Sequence, residues 1–172
     1  MSESKDFSEV FSGVRCGVYV VTSAYRRKLA GCTAVWITRV SFEPPMIAVS
    51  LAPTRQTMQI IEQSKRLCVN VLGESGTELA RQFGFRSGVS TNKFEGLAYS
   101  ISEHGSPILA AAVMYFDCKV LEIVTAGDHR VNLCEVVDAA VVREEPALLY
   151  NSADFYSAEP VLPPKEGESA TG

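Results

Sequence analysis

Two groups of hydroxyl-bearing and cationic side chains in this sequence have the chemistry of an anion site. The first, Thr54, Arg55 and Thr57, lies where a predicted helix begins. A helix N-terminus offers free N–H groups and the positive end of the helix dipole to phosphate. The second group lies in the polar segment 84–95 and consists of Arg86, Ser87, Ser90, Thr91 and Lys93. Taken alone, a capped surface helix and a solvated loop are the better interpretations, so neither group assigns a ligand by itself.

The sequence lacks the residues of a self-sufficient reaction centre. It contains no GxSxG, P-loop, GxGxxG or HExxH motif, and His104 and His129 are too far apart for a metal pair on one helix. Five cysteines without a CxxC pair are typical of buried, reduced thiols in a cytoplasmic protein, and no local signature supports a Cys–His nucleophile. No metal site is predicted. These features favour a binding protein, or an enzyme whose chemistry belongs to a bound organic cofactor.

The composition predicts one soluble globular domain over residues 1–158 and a tail over 159–172. Of 172 residues, 47% are hydrophobic and 21% are charged, and the net charge is −4. The charge argues against nucleic-acid binding, no apolar run is long enough to cross a bilayer, and the N-terminus lacks the pattern of a signal peptide. We therefore expect a cytoplasmic protein. The tail is rich in Pro, Glu, Gly and Ser and is predicted to be disordered.

Strands dominate the predicted secondary structure. Apolar and β-branched runs predict strands at 16–24, 29–40, 46–51, 67–72, 97–103, 110–124, 129–142 and 148–150. Helix-start signals are Asp6, Thr54 and the capping box Ser75-Gly-Thr-Glu78. Because the strands do not alternate with crossover helices and are apolar on both faces, they favour a closed or nearly closed barrel. Helices or a second copy of the molecule would cover its outside.

The stretch Gly31–Pro45 has two interpretations. It is β-branched and apolar, but Thr33 and Thr38 interrupt it, and Trp36, the one tryptophan of the chain, stands in its middle. It can be a core strand with a buried Trp36. It can also be a strand whose backbone groups and short hydroxyls face the polar edge of a flat ring such as an isoalloxazine.

The order and spacing of several motifs resemble the flavin reductase family of FMN-binding split-barrel proteins, which includes flavoredoxins and the reductase components of two-component monooxygenases. In the N-terminal half the motifs are V-T-S at 21–23, G-C-T-A-x-x-x-T-x-V-S-F-E-P-P at 31–45, V-S-L at 49–51 with T-R-Q-T at 54–57, L-C-V-N-V-L at 67–72 and E-L-A-R-Q-F-G at 78–84. In the C-terminal half they are G-D-H at 127–129, C-E-V at 134–136 and P-A-L-L-Y at 146–150. The resemblance covers residues 10–156.

This resemblance implies a mainly β fold, a six-stranded antiparallel Greek-key barrel with a few peripheral helices. It also implies a homodimer that binds FMN, less often FAD, near the dimer interface. Carried over by position, the residues beside the flavin ring and its ribityl chain are Thr33, Ala34, Val35, Trp36, Ile37 and Thr38. Those near the phosphate are Ser50, Thr54, Arg55 and Thr57, with Arg86, Ser87 and Lys93 reaching the phosphate or the ribityl chain from the loop. His129 and Tyr150 face the nicotinamide side.

The implied activity is that of an FMN-dependent oxidoreductase. NADH or NADPH would reduce the bound flavin, and electrons would pass to free flavin or another acceptor, such as a monooxygenase partner. The alternative is a non-catalytic FMN-binding electron carrier, flavoredoxin-like, that a protein donor reduces. Val35-Trp36 stands where many family members carry a small polar pair, and Ala147 replaces a common Leu, so the donor and the acceptor stay open.

Overall fold

The computed structural model describes residues 7–85 and 91–155. The strands are β1 (Tyr19–Tyr25), β2 (Lys28–Ala34), β3 (Ile37–Ser41), β4 (Met46–Leu51), β5 (Arg66–Val71), β6 (Tyr99–Ile101), β7 (Pro107–Leu109), β8 (Met114–Ala126) and β9 (His129–Val141). The helices are α1 (Ser8–Ser12), α2 (Gln56–Ser64), α3 (Thr77–Phe85) and α4 (Ser152–Phe155), with a 3₁₀ turn at Glu74–Gly76. None of the helices in these two ranges is long and apolar enough to span a membrane. The predicted tail, 159–172, lies outside the described residues.

Seven strands form one antiparallel sheet in the order β2-β1-β5-β8-β9-β4-β3. The two edge strands, β2 and β3, are consecutive in the chain and are joined by Val35 and Trp36, the Val35–Trp36 link. Cys32 of β2 and Ile37 of β3 pack in the same core, so the sheet curves until its edges approach each other. The predicted mainly β split-barrel architecture is confirmed.

The single strand predicted at 29–40 is two strands, so the sheet has seven strands where six were expected. β2 pairs with β1, whereas β3 pairs with β4. The pairing partner of the chain changes from β1 to β4 across this stretch, and the chain leaves the ladder at the Val35–Trp36 link. There the N–H of Ser50 donates to the carbonyl oxygen of Trp36 at 3.0 Å, which fixes the end of the link against β4.

Two hydrophobic clusters hold the barrel together. The inner core is built by strands of the sheet and by α2, and its buried members are Val21, Cys32, Ala34, Ile47, Val49, Leu51, Met58, Ile61, Leu67, Val69, Cys118, Val120 and Cys134. The outer cluster lies under α3, and its members are Val18, Val20, Leu72, Ala80, Phe83, Phe94, Leu109 and Leu148. Burial of both faces of β1 agrees with the predicted outside cover, which α3 supplies.

The predicted helix starts are corrected by the structure. α1 follows Phe7 as its N-cap residue, not Asp6, which lies outside the described residues. α2 follows Arg55 and not Thr54. The capping box does not form, because the N–H and hydroxyl of Ser75 both donate to the carboxylate of Glu145 at 2.9 Å. In a capping box the Glu78 carboxylate would accept the Ser75 N–H, but Glu145 takes that donor and Glu78 instead accepts from Arg81 at 2.6 Å.

Two predicted C-terminal strands are shorter than expected. The strand predicted at 97–103 is the three-residue β6, which pairs with β7 in a separate two-stranded sheet. The strand predicted at 148–150 is an isolated bridge between Leu149 and Gly17. The two long strands predicted around the turn at 125–128 are confirmed as β8 and β9.

Candidate functional site

The start of helix α2 lies beside the end of helix α3. Arg55 is the N-cap residue of α2, and its Nη1 donates a hydrogen bond of 3.1 Å to the carbonyl oxygen of Gly84. Thr54 precedes it in an exposed turn. The first N–H groups of an α-helix lack acceptors four residues back. Here the N–H of Met58 donates to the carbonyl oxygen of Arg55 at 2.9 Å, and the Arg55 side chain makes no capping hydrogen bond to the helix. A polarised helix end next to an exposed guanidinium suits a phosphate group.

Thr57 contributes to the interior side of this region. Its side chain is a hydrogen-bond partner of the Cys32 thiol in β2, and both residues are about 1% exposed. Burial raises the pKa of the Cys32 thiol, while the Thr57 hydrogen bond and the charges of Arg55 and Lys93 act in the opposite direction. The pair is therefore a neutral core contact that sits within range of two cations.

The side chain of Lys93 is buried in the protein and does not extend into solvent from its loop. Its ammonium donates to the carbonyl oxygens of Gly31 at 3.1 Å and Phe83 at 2.8 Å, and the residue is only 6% exposed. Burial lowers the pKa of Lys93. The Phe83 carbonyl lies in the last turn of α3, where carbonyls lack helical donors, so Lys93 fastens that turn to β2. Arg86 and Ser87 lie outside the described residues.

A small cavity of about 40 Å³ adjoins this lysine. It lies between β2, the start of α2 and the segment after residue 90, and is lined by Leu29, Ala30, Gly31, Gln56, Thr91, Asn92, Lys93 and Phe94. A volume of this size has room for little more than a water molecule or two. Lys93 and Arg55 thus supply positive charge behind the α2 start, while a larger ligand has to lie outside this cavity.

The first half of the stretch 33–38 is committed to the fold. The hydroxyl of Thr33 donates to the carbonyl oxygen of Ala80 in α3 at 2.6 Å. Ala34 is buried in the inner core, and Val35 packs against the outer cluster. The hydroxyl expected at the polar edge of a flavin is therefore engaged by α3.

The second half of the stretch is more open. Trp36 is 57% exposed, so the interpretation of Trp36 as a buried core residue is wrong. Ile37 packs against the inner core. The side chain of Thr38 is exposed, with its hydroxyl 3.5 Å from the carbonyl oxygen of Arg39. An exposed indole and an exposed hydroxyl thus flank one inward-facing isoleucine.

Trp36 meets His129, the first residue of β9. The indole and imidazole centroids are 4.8 Å apart, with the rings tilted by 55°. A hydrogen bond of 2.8 Å joins the Nδ1 of His129 to the carboxylate of Asp128, and this bond holds the pKa of Asp128 below its usual range. Ser50 lies opposite Val131 in the β4–β9 ladder and binds the Trp36 carbonyl. The structure therefore brings three of the predicted site residues together at this end of the barrel.

Tyr150 belongs to a different group of residues. Its ring stacks on Phe155 of α4, with centroids 5.5 Å apart and planes 21° apart, and packs against the outer cluster. Its N–H donates to the carbonyl oxygen of Cys16. Tyr150 thus ties the end of the described chain to the segment before β1, while His129 packs on Trp36.

Sequence reasoning missed two features of this region. The carbonyl partners of Lys93 and of Arg55 are backbone atoms, which no residue type signals. It also assigned no role to His104, whose Nδ1 lies 3.2 Å from the fully buried carboxylate of Asp117. A lone acid in the apolar start of β8 was the available signal for that pair.

Comparison of the sequence with known proteins identifies a family and several similar proteins. The family described as "Flavin reductase like domain" matches residues 11–159. The chain is 30% identical over 161 residues to "Flavin-dependent monooxygenase, reductase subunit HsaB" of Mycobacterium tuberculosis, covering 92% of this chain and 84% of that protein. It is 31% identical over 144 residues to "FMN reductase (NADH) RutF" of Pseudomonas syringae pv. syringae, covering 84% and 80%.

A solved structure gives the same result for the fold. The Streptomyces globisporus C-1027 NADH:FAD oxidoreductase SgcE6, in complex with NAD and FAD fragments, superposes with a TM-score of 0.79 at 26% identity. The match covers 93% of this chain and 99% of that one. The expected family relationship is confirmed, and the chain belongs to the flavin reductase-like domain family.

Proposed function

We propose that this protein is a flavin reductase that uses NADH or NADPH to reduce FMN, with FAD as the less favoured flavin. The observation that supports it best is the uncapped start of α2 with the Arg55 guanidinium beside it, in a chain whose family match spans residues 11–159. Two of the similar proteins are named for NADH and a flavin, RutF as an FMN reductase (NADH) and SgcE6 as an NADH:FAD oxidoreductase. When bound, the flavin would accept hydride from the nicotinamide and pass electrons to free flavin or another acceptor.

The chain's own groups fit a flavin phosphate. Thr54, Arg55 and Ser50 remain the proposed phosphate-side residues, with Arg55 and the α2 N–H groups as the strongest donors. Thr57, buried and bonded to Cys32, would support them from the interior. Lys93 is proposed to contribute charge from behind, since its ammonium is already engaged by two carbonyls. Arg86 and Ser87 would add donors from the segment between the described ranges.

The stretch 33–38 is proposed to run along the ring and the ribityl chain. With the Thr33 hydroxyl bound to Ala80, the groups that would contact the flavin are the backbone of the Val35–Trp36 link and the hydroxyl of Thr38. His129 would orient the nicotinamide. Tyr150 would face the nicotinamide from the side of the outer cluster.

A homodimer and an oxygenase partner are part of this proposal. The similar HsaB protein is named as the reductase subunit of a flavin-dependent monooxygenase. Exposed apolar side chains on the long hairpin and in the turn after β3, among them Leu121, Val124, Val141 and Phe42, favour cover by another chain. Size-exclusion chromatography with light scattering would give the mass directly. A cytoplasmic location is also proposed, supported by the five unpaired thiols.

Flavin titration of the Arg55→Met variant tests the phosphate site. Loss of a charge-assisted hydrogen bond should weaken FMN binding about ten- to hundredfold. Riboflavin, which lacks the phosphate, should bind wild type and variant alike. Arg39→Met, which removes another exposed arginine, is the matched control and should leave both affinities unchanged. Equal losses for FMN and riboflavin would contradict the assignment.

Anaerobic addition of NADH or NADPH to the FMN-loaded protein tests the activity. Bleaching of the visible flavin absorbance is expected. A protein that is bleached only by a reduced protein donor would be the electron carrier instead. A protein that takes up neither FMN nor FAD would refute both functions.

A further inference from the structure

The exposed indole of Trp36 has an unusual setting. It is the single tryptophan of the chain, more than half of it is accessible, and it stands on the link between the two edge strands of the barrel. Tryptophan, with an apolar ring and a polar N–H, is enriched at binding interfaces. Its one aromatic neighbour among the described residues is His129.

His129 is restrained from two directions. Nδ1 donates to the Asp128 carboxylate at 2.8 Å, and the indole of Trp36 covers part of the ring at a centroid distance of 4.8 Å. Because Nδ1 is engaged, Nε2 is the ring nitrogen left to face a ligand. The imidazole orientation, and with it the direction of Nε2, therefore depends on both neighbours.

Asp128 cannot hold this orientation by itself. It lies at the tip of the β8–β9 hairpin beside Gly127, and its side chain is almost fully exposed. Exposed contacts of this kind contribute little, because water competes with the imidazole for the carboxylate. Trp36 is better anchored, since its carbonyl accepts the Ser50 N–H at 3.0 Å and the next residue, Ile37, packs in the inner core. The indole is thus the firmer of the two restraints.

We infer that Trp36 is a positioning residue, which fixes the imidazole of His129 for recognition of the nicotinamide group. This inference rests on the proposed function and adds to it a specificity element that joins the flavin-side stretch 33–38 to the nicotinamide-side hairpin. Trp36 then acts on nucleotide recognition through His129, and FMN affinity depends on it only weakly. The Nε2 nitrogen, unprotonated in the neutral ring whose Nδ1 carries the proton, would accept a hydrogen bond from the carboxamide N–H₂.

A double-mutant cycle on the FMN-loaded protein tests this inference. Trp36→Ala and His129→Gln should each raise the KM for NADH about tenfold, with kcat at saturating NADH and the Kd for FMN changed less than about threefold. The double variant should lose no more than either single variant. Trp36→Phe keeps an aromatic face and should restore KM to within about threefold of wild type. Phe11→Ala, which removes another exposed aromatic ring, is the control and should change none of these values.

Three outcomes would overturn the inference. Additive losses in KM would show that the two residues act independently. An FMN affinity that falls while the KM for NADH stays constant would make Trp36 a direct flavin contact. Indole fluorescence of the flavin-free protein that does not respond to His129→Gln, with His104→Gln as control, would remove the ring contact itself. Failure of the proposed function looks different, because the wild-type protein would then not bleach with either nucleotide.

Discussion

Replacing Thr33 with valine separates a structural role of this residue from a flavin-binding role. Its hydroxyl donates to the Ala80 carbonyl at 2.6 Å, so Thr33→Val removes that hydrogen bond while almost preserving the side-chain shape. The carbonyl lies inside α3, where the helix can still supply a donor four residues further on. Therefore no orphaned acceptor is created.

The size of the effect follows from this geometry. A hydrogen bond between neutral groups contributes about 0.5–1.5 kcal/mol net to stability. Because the helical donor to the Ala80 carbonyl survives, the expected loss of stability is about 1 kcal/mol. For a chain of this size that corresponds to a fall of about 2–4 °C in Tm. FMN affinity should change by less than about threefold, because the hydroxyl is already engaged in the protein.

Thermal unfolding of the flavin-free protein and flavin-fluorescence titration measure the two quantities. Thr33→Ser keeps the hydroxyl and should retain most of the affected stability. Thr38→Val removes an exposed hydroxyl and should leave Tm unchanged. A rise of about tenfold or more in the Kd for FMN of Thr33→Val at unchanged Tm would refute the reasoning, since it would place the hydroxyl on the ligand.

Three further predictions concern packing, pH and ligand linkage. Gly31→Ala should lower the free energy of unfolding by about 1–3 kcal/mol in urea titrations. The reason is that a Cβ at this position would lie 2.5 Å from a ring carbon of the fully buried Phe83. An unchanged urea midpoint would contradict this packing. Hydrogen bonds from Ser75 hold the pKa of Glu145 below its usual range, so its carboxylate stabilises the fold above the unfolded-state pKa and the benefit is lost as pH falls through the folded-state pKa. Glu145→Gln should therefore lower Tm at neutral pH, and this difference should shrink as pH falls from about 4.3 through the lower folded-state pKa; a constant difference across that range would argue against the contact. FMN at a hundred times its Kd should stabilise the protein by about 2.7 kcal/mol, seen as a rise in Tm that a non-binding protein would lack.

Local sequence predicted most of the sheet because most of its strands are long, apolar and bounded by turn residues. β4 and the β8–β9 hairpin are examples, and the latter is bounded by Gly127 at a positive φ of 60°. The break at the Val35–Trp36 link was not predictable from residue types, since the stretch is β-prone throughout. The break results from a change of pairing partner, which depends on strands far away in the sequence.

The sequence predicted which residues belong to the candidate site better than it predicted the contacts that these residues make. Residue types gave the α2 start and the stretch Gly31–Pro45 as candidates, the resemblance added the positions 33–38 and His129, and Arg55 does lie at that helix start. The ammonium of Lys93 was expected at a ligand, whereas it binds two backbone carbonyls of β2 and α3. Partners of that kind are fixed only by packing, so a sequence pattern does not contain them.

The order of strands in the sheet has a consequence for folding kinetics. Three hairpins, β1–β2, β3–β4 and β8–β9, pair residues close in sequence, whereas β4 pairs with β9 by bringing Met46 opposite Glu135. Non-local pairings pay the largest chain-closure cost and form slowly. Trp36 reaches His129 only after β9 has joined β4, so the indole signal should recover with the last pairing event during refolding. The proposed nucleotide site would then be the part of the molecule that is assembled last.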